Sequence, residues 1–182
     1  MKTRALVFIA LFAALTAIGA FLRIPAGPVA ITLQFLFTAM AGILLGRRYG
    51  ALSQLVYVAL GLVGLPIFTM GGGPAYVLQP SFGFLVGLIP CAWLIGFLSR
   101  KGCGPLWIAL SCAAGLAVLY LVGVPYMALI LNVYRGSGMS LRDILWNGMI
   151  LFLPGDALKI AIAAAVCPTL QKRLCNFDEF RV

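Results

Sequence analysis

The chain has 182 residues, of which 63% are hydrophobic and 9% are charged, and its mean hydropathy is +1.11. Because an average soluble domain is roughly 45–50% apolar and about 25% charged, this composition excludes an ordinary soluble globule, a disordered chain and a nucleic-acid-binding protein. Thirteen Lys and Arg residues against four Asp and Glu residues give a net charge of +9.

The apolar stretches between charged residues, glycines and prolines predict an all-α polytopic membrane protein. A membrane-spanning helix needs about 20 apolar residues, and the chain has room for a bundle of six spans. We expect residues 1–182 to form a single integral-membrane domain, with the first apolar stretch retained as a span rather than removed as a signal peptide. The predicted spans cover approximately residues 5–22, 31–45, 51–65, 82–98, 106–134 with an interruption at Pro125, and 156–170 after a break at Pro154 and Gly155.

The distribution of Lys and Arg predicts that both termini lie in the cytoplasm. With that orientation nine basic residues fall on the cytoplasmic side and three fall outside, while Lys159 lies inside the last span. An excess of cytoplasmic cations is the usual pattern of multi-pass membrane proteins, and it explains the basic composition. The cytoplasmic set is Lys2, Arg4, Arg47, Arg48, Arg100, Lys101, Lys172, Arg173 and Arg181, and the outer set is Arg23, Arg135 and Arg142.

The outer connections are rich in Pro, Gly and polar residues, whereas the inner connections are short and basic. Nonhelical backbone at membrane depth is tolerated where protein covers it or where it lines a cavity. This asymmetry favours a ligand pocket that faces outward. The alternative is that these segments are only loops.

Asp156 and Lys159 are the strongest candidates for ligand binding. They stand three residues apart at the start of the last predicted helix, so both side chains lie on one face. An ionisable group in a bilayer costs at least ~2.5–3.5 kcal/mol and is therefore a candidate functional group. We expect Lys159 to meet a ligand anion and Asp156 to accept N–H donors; the alternative is a pair that neutralises itself and only fixes packing.

Other polar groups at the outer ends of the spans are further candidates for the pocket. The amide of Gln offers both donors and an acceptor, and triple glycine allows close approach of the backbone to a ligand. Hydrogen bonds between helices are an equally good explanation for the pair in the second span, and Tyr134 and Trp146 are better explained as interfacial anchors. The candidates are Thr32 and Gln34 in the second span, Gln79 in the Gly-rich segment 71–83, and Tyr126 and Asn132 on the fifth helix.

The residue types needed for metal or enzyme chemistry are scarce. Five cysteines without a C-x-x-C spacing, and no His, argue against a metal site and against His-assisted catalysis. The chain also lacks a G-x-x-x-x-G-K-[ST] phosphate loop, so work driven by ATP would need a partner chain. We expect no cofactor and no enzymatic activity; the rival is an intramembrane enzyme that uses Asp156 and Lys159 as acid and base.

Five runs of sequence resemble the BioY family, in order and over nearly the whole chain. Proteins of that family are the substrate-binding (S) components of energy-coupling-factor (ECF) transporters for biotin. The most specific runs are the Pro-Gly-Asp-x-x-Lys motif and the Gly-rich loop. The runs are ITLQ at 31–34, GLPIF at 64–68, GGG at 71–73 with QPSFGF at 79–84, GVPY at 123–126, and FLPGDALK at 152–159.

The resemblance implies a six-helix bundle that captures biotin from outside the cell. The complete transporter of this class pairs the S component with a transmembrane coupling subunit and two ATPase subunits, which agrees with the missing phosphate loop. This chain has no arginine between Arg48 and Arg100, so an arginine of the family near the fourth helix has no counterpart. Recognition of the ligand carboxylate then rests on Lys159 or on another residue.

Small residues recur at intervals of four along the first span, a pattern that permits close helix approach. The residues alone favour packing within the chain, whereas the resemblance implies a surface that docks on the coupling subunit. The residues concerned are Ala10, Ala14, Ala13 and Ala17.

The chemistry of biotin suits the candidate residues. Its cyclic urea offers N–H donors to Asp156 and a carbonyl to Gln34 or Gln79, its carboxylate suits an ammonium, and its rings suit an aromatic wall such as Phe84. Two rivals stay open: an S component for another small vitamin, and a structural or assembly protein of the membrane that binds no small molecule.

Overall fold

A computed structural model describes residues 3–101 and 104–174, of which most are helical. The helices are α1 (Thr3–Phe21), α2 (Gln34–Val63), α3 (Phe82–Leu98), α4 (Pro105–Ala128), α5 (Leu141–Leu145) and α6 (Leu153–Leu174). Two short strands, β1 (Arg23–Ile24) and β2 (Ile31–Thr32), form an antiparallel ladder between α1 and α2. The remaining helical turns are 3-10 turns at Pro74–Leu78 and Ser99–Lys101, and wide π-helical turns at Leu129–Tyr134 and Trp146–Ile150.

Helix α2 reverses its direction at Gly46. This glycine has φ 77° and ψ 179°, a backbone conformation that residues with a side chain rarely adopt. The two halves of α2 then lie side by side, because a Cβ on Gly50 would be 2.9 Å from the Cα of Gly42. Farther along, Thr38 Oγ1 donates to Gln54 Oε1 at 3.0 Å. The predicted spans 31–45 and 51–65 correspond to these two halves.

A buried polar cluster joins α1 to both halves of α2. Thr16, Thr38, Ser53 and Gln54 are all buried away from the surface. The Gln54 amide nitrogen donates to Thr16 Oγ1 at 3.3 Å and to Ser53 Oγ at 3.1 Å. Since unpaired polar groups are costly in an apolar interior, this cluster fixes the register of three helical segments against one another.

The helices pack around a core in which α2 contacts α1, α3 and α6, and α4 contacts α3 and α6. The approach of α3 to α2 is close enough that small residues are required there. A Cβ on Gly42 would lie 2.7 Å from the carbonyl oxygen of Ala92, and a Cβ on Gly96 would collide with the backbone at Arg47. Backbone contact of this kind is typical of helices that associate without a hydrophobic driving force.

Three helical stretches in the described part of the chain are long and apolar enough to cross a membrane. They are Thr3–Phe21, Pro105–Tyr134 and Leu141–Gln171, and Phe82–Leu98 is a shorter apolar helix. Large apolar side chains are exposed along them, among them Leu121 and Leu158. This agrees with the predicted membrane protein, since such side chains can face lipid.

The helices are not interrupted at the two prolines where breaks were predicted, Pro125 and Pro154. Helix α4 continues through Pro125 to Ala128, and the irregular turn begins only at Leu129. Proline removes one hydrogen bond, but in an apolar setting without water the rest of the helix stays intact. Pro154 does not break the last span either, because it lies in the first turn of α6, where its missing N–H is not needed.

Basic residues gather at one end of the bundle and irregular backbone at the other. The Gly46 turn and the connection from α3 to α4 lie together, since a Cβ on Gly46 would be 3.0 Å from Arg100 Nη2. Partial burial first, and then the neighbouring charges of Arg47 and Arg48, lower the pKa of Arg100. The strands β1 and β2 and the segments 64–81 and 135–140 occupy the opposite end.

Candidate functional site

A cavity of about 70 Å³ lies toward the end of the bundle that carries the irregular backbone. Its walls come from residues 29–35, which include the first turn of α2, from the Gly-rich connection between α2 and α3 (residues 64–81), and from helices α3, α4 and α6. The lining is mainly apolar with a few polar groups, which is the usual composition of a small-molecule site. The lining residues are Val29, Ala30, Thr32, Gln34, Phe35, Thr69, Ser81, Phe84, Leu85, Leu88, Leu119, Tyr120, Phe152, Asp156 and Lys159.

The Asp156 carboxylate is held from both sides. Lys159 Nζ donates to Oδ1 at 2.7 Å, and the Tyr120 hydroxyl donates to Oδ2 at 2.5 Å. Asp156 is 4% exposed and Lys159 is 5% exposed, so both charges are almost completely withdrawn from the surface. Each carboxylate oxygen can still accept a second hydrogen bond, and the ammonium still has unused N–H donors. The pair can therefore bind a ligand that carries both donors and acceptors.

The start of α6 explains the position of this pair. The Asp156 N–H donates to the Phe152 carbonyl oxygen at 2.9 Å, which places Asp156 in the first helical turn. An anionic side chain is favourable there, because the N-terminus of a helix is the positive end of its dipole. The spacing of three residues then puts Lys159 on the same face, as the sequence predicts.

Gln34 connects the cavity to the Gly-rich connection. Its side-chain oxygen accepts from Thr32 Oγ1 at 3.0 Å, and its Nε2 donates to the Tyr57 hydroxyl at 2.9 Å. Tyr57 in turn donates to the carbonyl oxygen of Ile67 at 3.1 Å. Because Gln34 has an N–H left over, it combines a role in packing with the capacity to bind a ligand, so both interpretations of this residue fit the structure.

The Gly-rich connection is anchored by its own aromatic and hydroxyl groups. Phe68 is buried, with its ring 5.5 Å from Tyr57 and 4.6 Å from Tyr76, measured between centroids. The Tyr76 hydroxyl shares hydrogen bonds with Thr69 Oγ1 at 2.7 Å and with Ser81 Oγ at 3.2 Å. Thr69 and Ser81 both line the cavity, so this small network fixes the wall opposite α6.

The structure brings five of the eight predicted ligand residues into the cavity lining. These are Asp156, Lys159, Gln34, Thr32 and Phe84. The Phe84 ring covers Gly123 on α4, where any Cβ would collide with it. The glycine therefore lets an aromatic wall lie flat against the neighbouring helix.

The other three predicted residues lie outside the lining and have partners of their own. Gln79 Oε1 accepts from Arg135 Nη2 at 2.9 Å. The Tyr126 hydroxyl donates to the carbonyl oxygen of Val77. Asn132 forms two hydrogen bonds with the backbone of Met139, at 2.9 and 2.8 Å. Their predicted role as ligand contacts stays a prediction.

Sequence reasoning missed Tyr120 and Tyr57. Both are buried hydroxyl-bearing residues within apolar helices rather than at the helix ends where tyrosines usually form interfacial belts. A buried hydroxyl needs a hydrogen-bond partner. The position of each tyrosine in the middle of an apolar span could therefore have indicated a buried hydrogen bond. It could not have identified the residue that accepts or donates it.

The small residues of α1 face different ways. Ala13 is 5% exposed and belongs to the core, and Ala17 is partly buried against it. Ala10 and Ala14 are exposed on an adjacent part of the helix surface. Of these four predicted docking residues, Ala10 and Ala14 are the exposed pair.

Among residues 3–101 and 104–174, no group of three or more Cys, Asp or Glu side chains is arranged to hold a metal ion. Cys91, Cys112 and Cys167 are buried free thiols in the helical core. They pack as small apolar side chains.

Residues 1–176 match the BioY family. A protein of Lysinibacillus sphaericus described as a probable biotin transporter BioY is 45% identical over 167 residues, which cover 91% of this chain and 85% of the relative. The biotin transporter BioY of Thermotoga maritima is 36% identical over 170 residues, with coverages of 93% and 96%.

A solved structure has the same fold. It is the crystal structure of the S-component for biotin from an ECF-type ABC transporter, with a TM-score of 0.81 and 30% sequence identity. The similarity covers 94% of this chain and 95% of that one.

Proposed function

Because this chain belongs to the BioY family, we propose that it takes up biotin as the S component of an ECF-type transporter. The observation that carries this conclusion is the similarity of nearly the whole chain, in sequence and in fold, to biotin transporters and to a biotin S component. The resemblance predicted from the five sequence runs is confirmed. The relatives are transporters rather than enzymes, and biotin is the transported ligand rather than a cofactor.

The polar lining suits the fused-ring head of biotin. Its cyclic urea has two N–H donors and one carbonyl acceptor and carries no net charge. Asp156 offers lone pairs to the N–H groups, while Lys159 and Gln34 offer N–H donors to the carbonyl. Phe84, Phe152 and the leucines of α3 and α4 provide apolar walls for the thioether ring and the aliphatic chain.

We propose six membrane spans, formed by α1, the two halves of α2, α3, α4 with its wide turn, and the segment 141–171. All of them belong to one integral-membrane domain over residues 1–182. The nine-to-three distribution of basic residues supports a cytoplasmic location of both termini. In that orientation the cavity opens toward the outside of the cell, where the vitamin is captured.

The partners of such a component follow from its class. We propose a transmembrane coupling subunit and two ATPase subunits, which would supply the ATP hydrolysis for which this sequence has no phosphate loop. The exposed residues Ala10 and Ala14 on α1 form the docking surface for the coupling subunit. Small side chains there permit close approach of a partner helix.

Equilibrium titration of the detergent-purified protein with biotin, thiamine and riboflavin tests the substrate. We expect tight binding of biotin alone. Preference for another vitamin would contradict the assignment, and no affinity for any of them would favour a structural role.

Substitution of the ion pair tests the site. We expect Asp156→Asn and Lys159→Ala each to weaken biotin binding at least about tenfold, or ~1.4 kcal/mol, because each removes a charged hydrogen-bonding partner of the ligand. The matched control is Asp143→Asn, which changes an exposed carboxylate near the same end that does not line the cavity. Wild-type affinity in both site variants would show that the ligand binds elsewhere.

A further inference from the structure

The charge of the cavity lining raises the question of how an anionic ligand is held. Asp156 and Lys159 are the charged residues of the lining, and they form an ion pair at 2.7 Å. The lining is therefore electrically neutral. Biotin has a neutral urea at one end and a carboxylate at the other, so the neutral pair matches the urea and leaves the carboxylate without a cation. Burying an unpaired carboxylate is costly.

Three arginines of the described chain lie at the end of the bundle where the cavity is found. Arg135 is bonded to Gln79, which is outside the lining, and Arg142 belongs to α5, which contributes nothing to the lining. Arg23 differs from both. Its Nη1 donates to the carbonyl oxygen of Thr69, and Thr69 lines the cavity.

The strand pairing gives a second, independent placement of Arg23. Arg23 on β1 lies directly opposite Thr32 on β2. Side chains of directly opposed residues in an antiparallel ladder project from the same face of the sheet. Thr32 lines the cavity, so the Arg23 side chain lies beside one lining residue and reaches across to another. The hydrogen bond to Thr69 and the strand pairing with Thr32 place Arg23 next to two lining residues, at the edge that we take as the mouth of the cavity.

The guanidinium of Arg23 has N–H donors left with which to bind a carboxylate. The residue is exposed, and its hydrogen bond to Thr69 uses one of the five guanidinium N–H donors. The planar fork of arginine matches the two oxygens of a carboxylate, and such charge-assisted bonds are stronger than neutral ones.

We propose that Arg23 binds the carboxylate of the ligand at the mouth of the cavity, while Asp156 and Lys159 hold the neutral urea inside. This inference rests on the proposed function and adds to it the residue that selects for an acid. It also supplies a carboxylate partner in a chain that has no arginine between Arg48 and Arg100. By bonding to Thr69, the same side chain ties the β1–β2 ladder to the Gly-rich connection.

Titration of purified variants with biotin and with its primary amide tests the proposal. The amide keeps the urea, the rings and the chain but lacks the negative charge. We expect the wild-type protein to prefer biotin, and Arg23→Gln to weaken biotin binding at least tenfold while affinity for the amide stays within about twofold. Retained amide binding also shows that the variant is folded. Arg23→Lys should keep part of the preference, because the charge stays but the fork is lost.

Arg135→Gln is the matched control, since it removes an arginine from the same end of the molecule and should leave the preference for the acid unchanged. Equal loss of both ligands in Arg23→Gln would mean that the residue only clamps the two segments, and would overturn the proposal. An unchanged preference in Arg23→Gln, with the preference lost in Lys159→Ala, would overturn it in favour of Lys159. No binding of biotin by the wild-type protein would instead defeat the proposed function as a whole.

Discussion

Both carboxylate oxygens of Asp156 already have hydrogen-bond donors in the folded protein. The ammonium of Lys159 and the hydroxyl of Tyr120 approach from different sides. Removing one partner of a buried ion pair is costly, since it leaves an uncompensated charge. The carboxylate is thereby held in place, so a ligand that binds as proposed would lose little conformational freedom of this side chain.

The hydroxyl of Tyr120 is therefore predicted to position Asp156. Tyr120→Phe removes one oxygen and keeps the ring, and a hydrogen bond to a charged group is worth about 1.5–3 kcal/mol. We expect biotin affinity to fall by about one order of magnitude or more in equilibrium titration.

Tyr134→Phe is the matched control, because Tyr134 is 60% exposed and lies outside the cavity lining. Equal affinities of the Tyr120 variant and the wild-type protein would contradict the positioning role. A double variant with Asp156→Asn should lose less than the sum of the two single losses if the residues act together.

Among individual residues, the sequence predicted the pair Asp156 and Lys159 but not the residues that contact it. Asp156 and Lys159 could be predicted because ionisable residues are costly in an apolar span and because their spacing puts them on one face. Tyr120 is 36 positions before Asp156, and only the packing of α4 against α6 brings the two together. The sequence also did not predict that the Asn132 amide forms two hydrogen bonds with the backbone of Met139.

Among the elements, α2 depends most on a single residue. Gly46 reverses the chain, and the two halves of α2 then pack closely enough to share a polar cluster with α1. Its neighbour across the turn is the guanidinium of Arg100.

Substitution of Gly46 is predicted to destabilise the whole bundle. Gly46→Ala forces a side chain into a backbone region that costs of order 1–3 kcal/mol for a residue other than glycine. We expect a lower midpoint of thermal unfolding in detergent.

The control is Gly104→Ala, at φ −76°, where no atom of the residues that the structure describes lies within 4 Å of the added Cβ and the change should be below about 1 kcal/mol. Equal midpoints for the Gly46 variant and the wild-type protein would show that the turn tolerates a side chain.

Helix α1 separates its packing surface from its free surface. Ala13 faces the core, whereas Ala14 is exposed one position later. The sequence pattern is the same for both alanine pairs, so packing and docking could not be distinguished before the orientation of the helix was known.

A larger side chain on the exposed surface of α1 is predicted to block transport of biotin without affecting its binding. Ala14→Leu should leave biotin affinity unchanged in purified protein and should block uptake of labelled biotin by cells, because it prevents close approach of a partner helix. Ala13→Leu should instead lower thermal stability by overpacking the core, at a cost of about 1–3 kcal/mol. Normal uptake with Ala14→Leu would remove the docking surface from this face.

The boundaries of a helix were predicted well where Gly, Pro or charged residues flank its apolar stretch. The span 82–98 coincides with α3. The expected break at Pro125 is absent, because a proline removes one hydrogen bond and α4 has no water with which to replace the others. The β1–β2 ladder was not predicted, since two paired residues per strand give no recognisable periodicity.

In the described part of the molecule, the cavity and the cluster of Arg47, Arg48 and Arg100 lie at opposite ends. Arg47, Arg48 and Arg100 meet around the Gly46 turn, while the cavity lies toward the opposite loops. Composition alone predicted a helical membrane protein, because a chain with 9% charged residues cannot cover itself with a water-facing surface. The cavity could not be predicted to the same degree, since its wall comes from five separate segments.

The orientation in the membrane is testable by thiol labelling. In a variant with Cys103→Ser and Cys175→Ser, a cysteine introduced by Ser137→Cys should react with a membrane-impermeant maleimide on intact cells. A cysteine introduced by Arg48→Cys should react only after permeabilisation, because the positive-inside rule puts that end in the cytoplasm. The opposite labelling pattern would invert the topology and place the cavity on the cytoplasmic side.

The wide turn Trp146–Ile150 limits where residues can be inserted into or deleted from the sequence. Each residue advances a helix by about 100°, and a wide turn contains an extra residue relative to a regular one. Insertion or deletion of one residue between Ser140 and Asp156 would therefore swing the ion pair away from the cavity toward lipid. Variation in chain length among homologues should be confined to the connection 135–139, where no helical phase has to be kept.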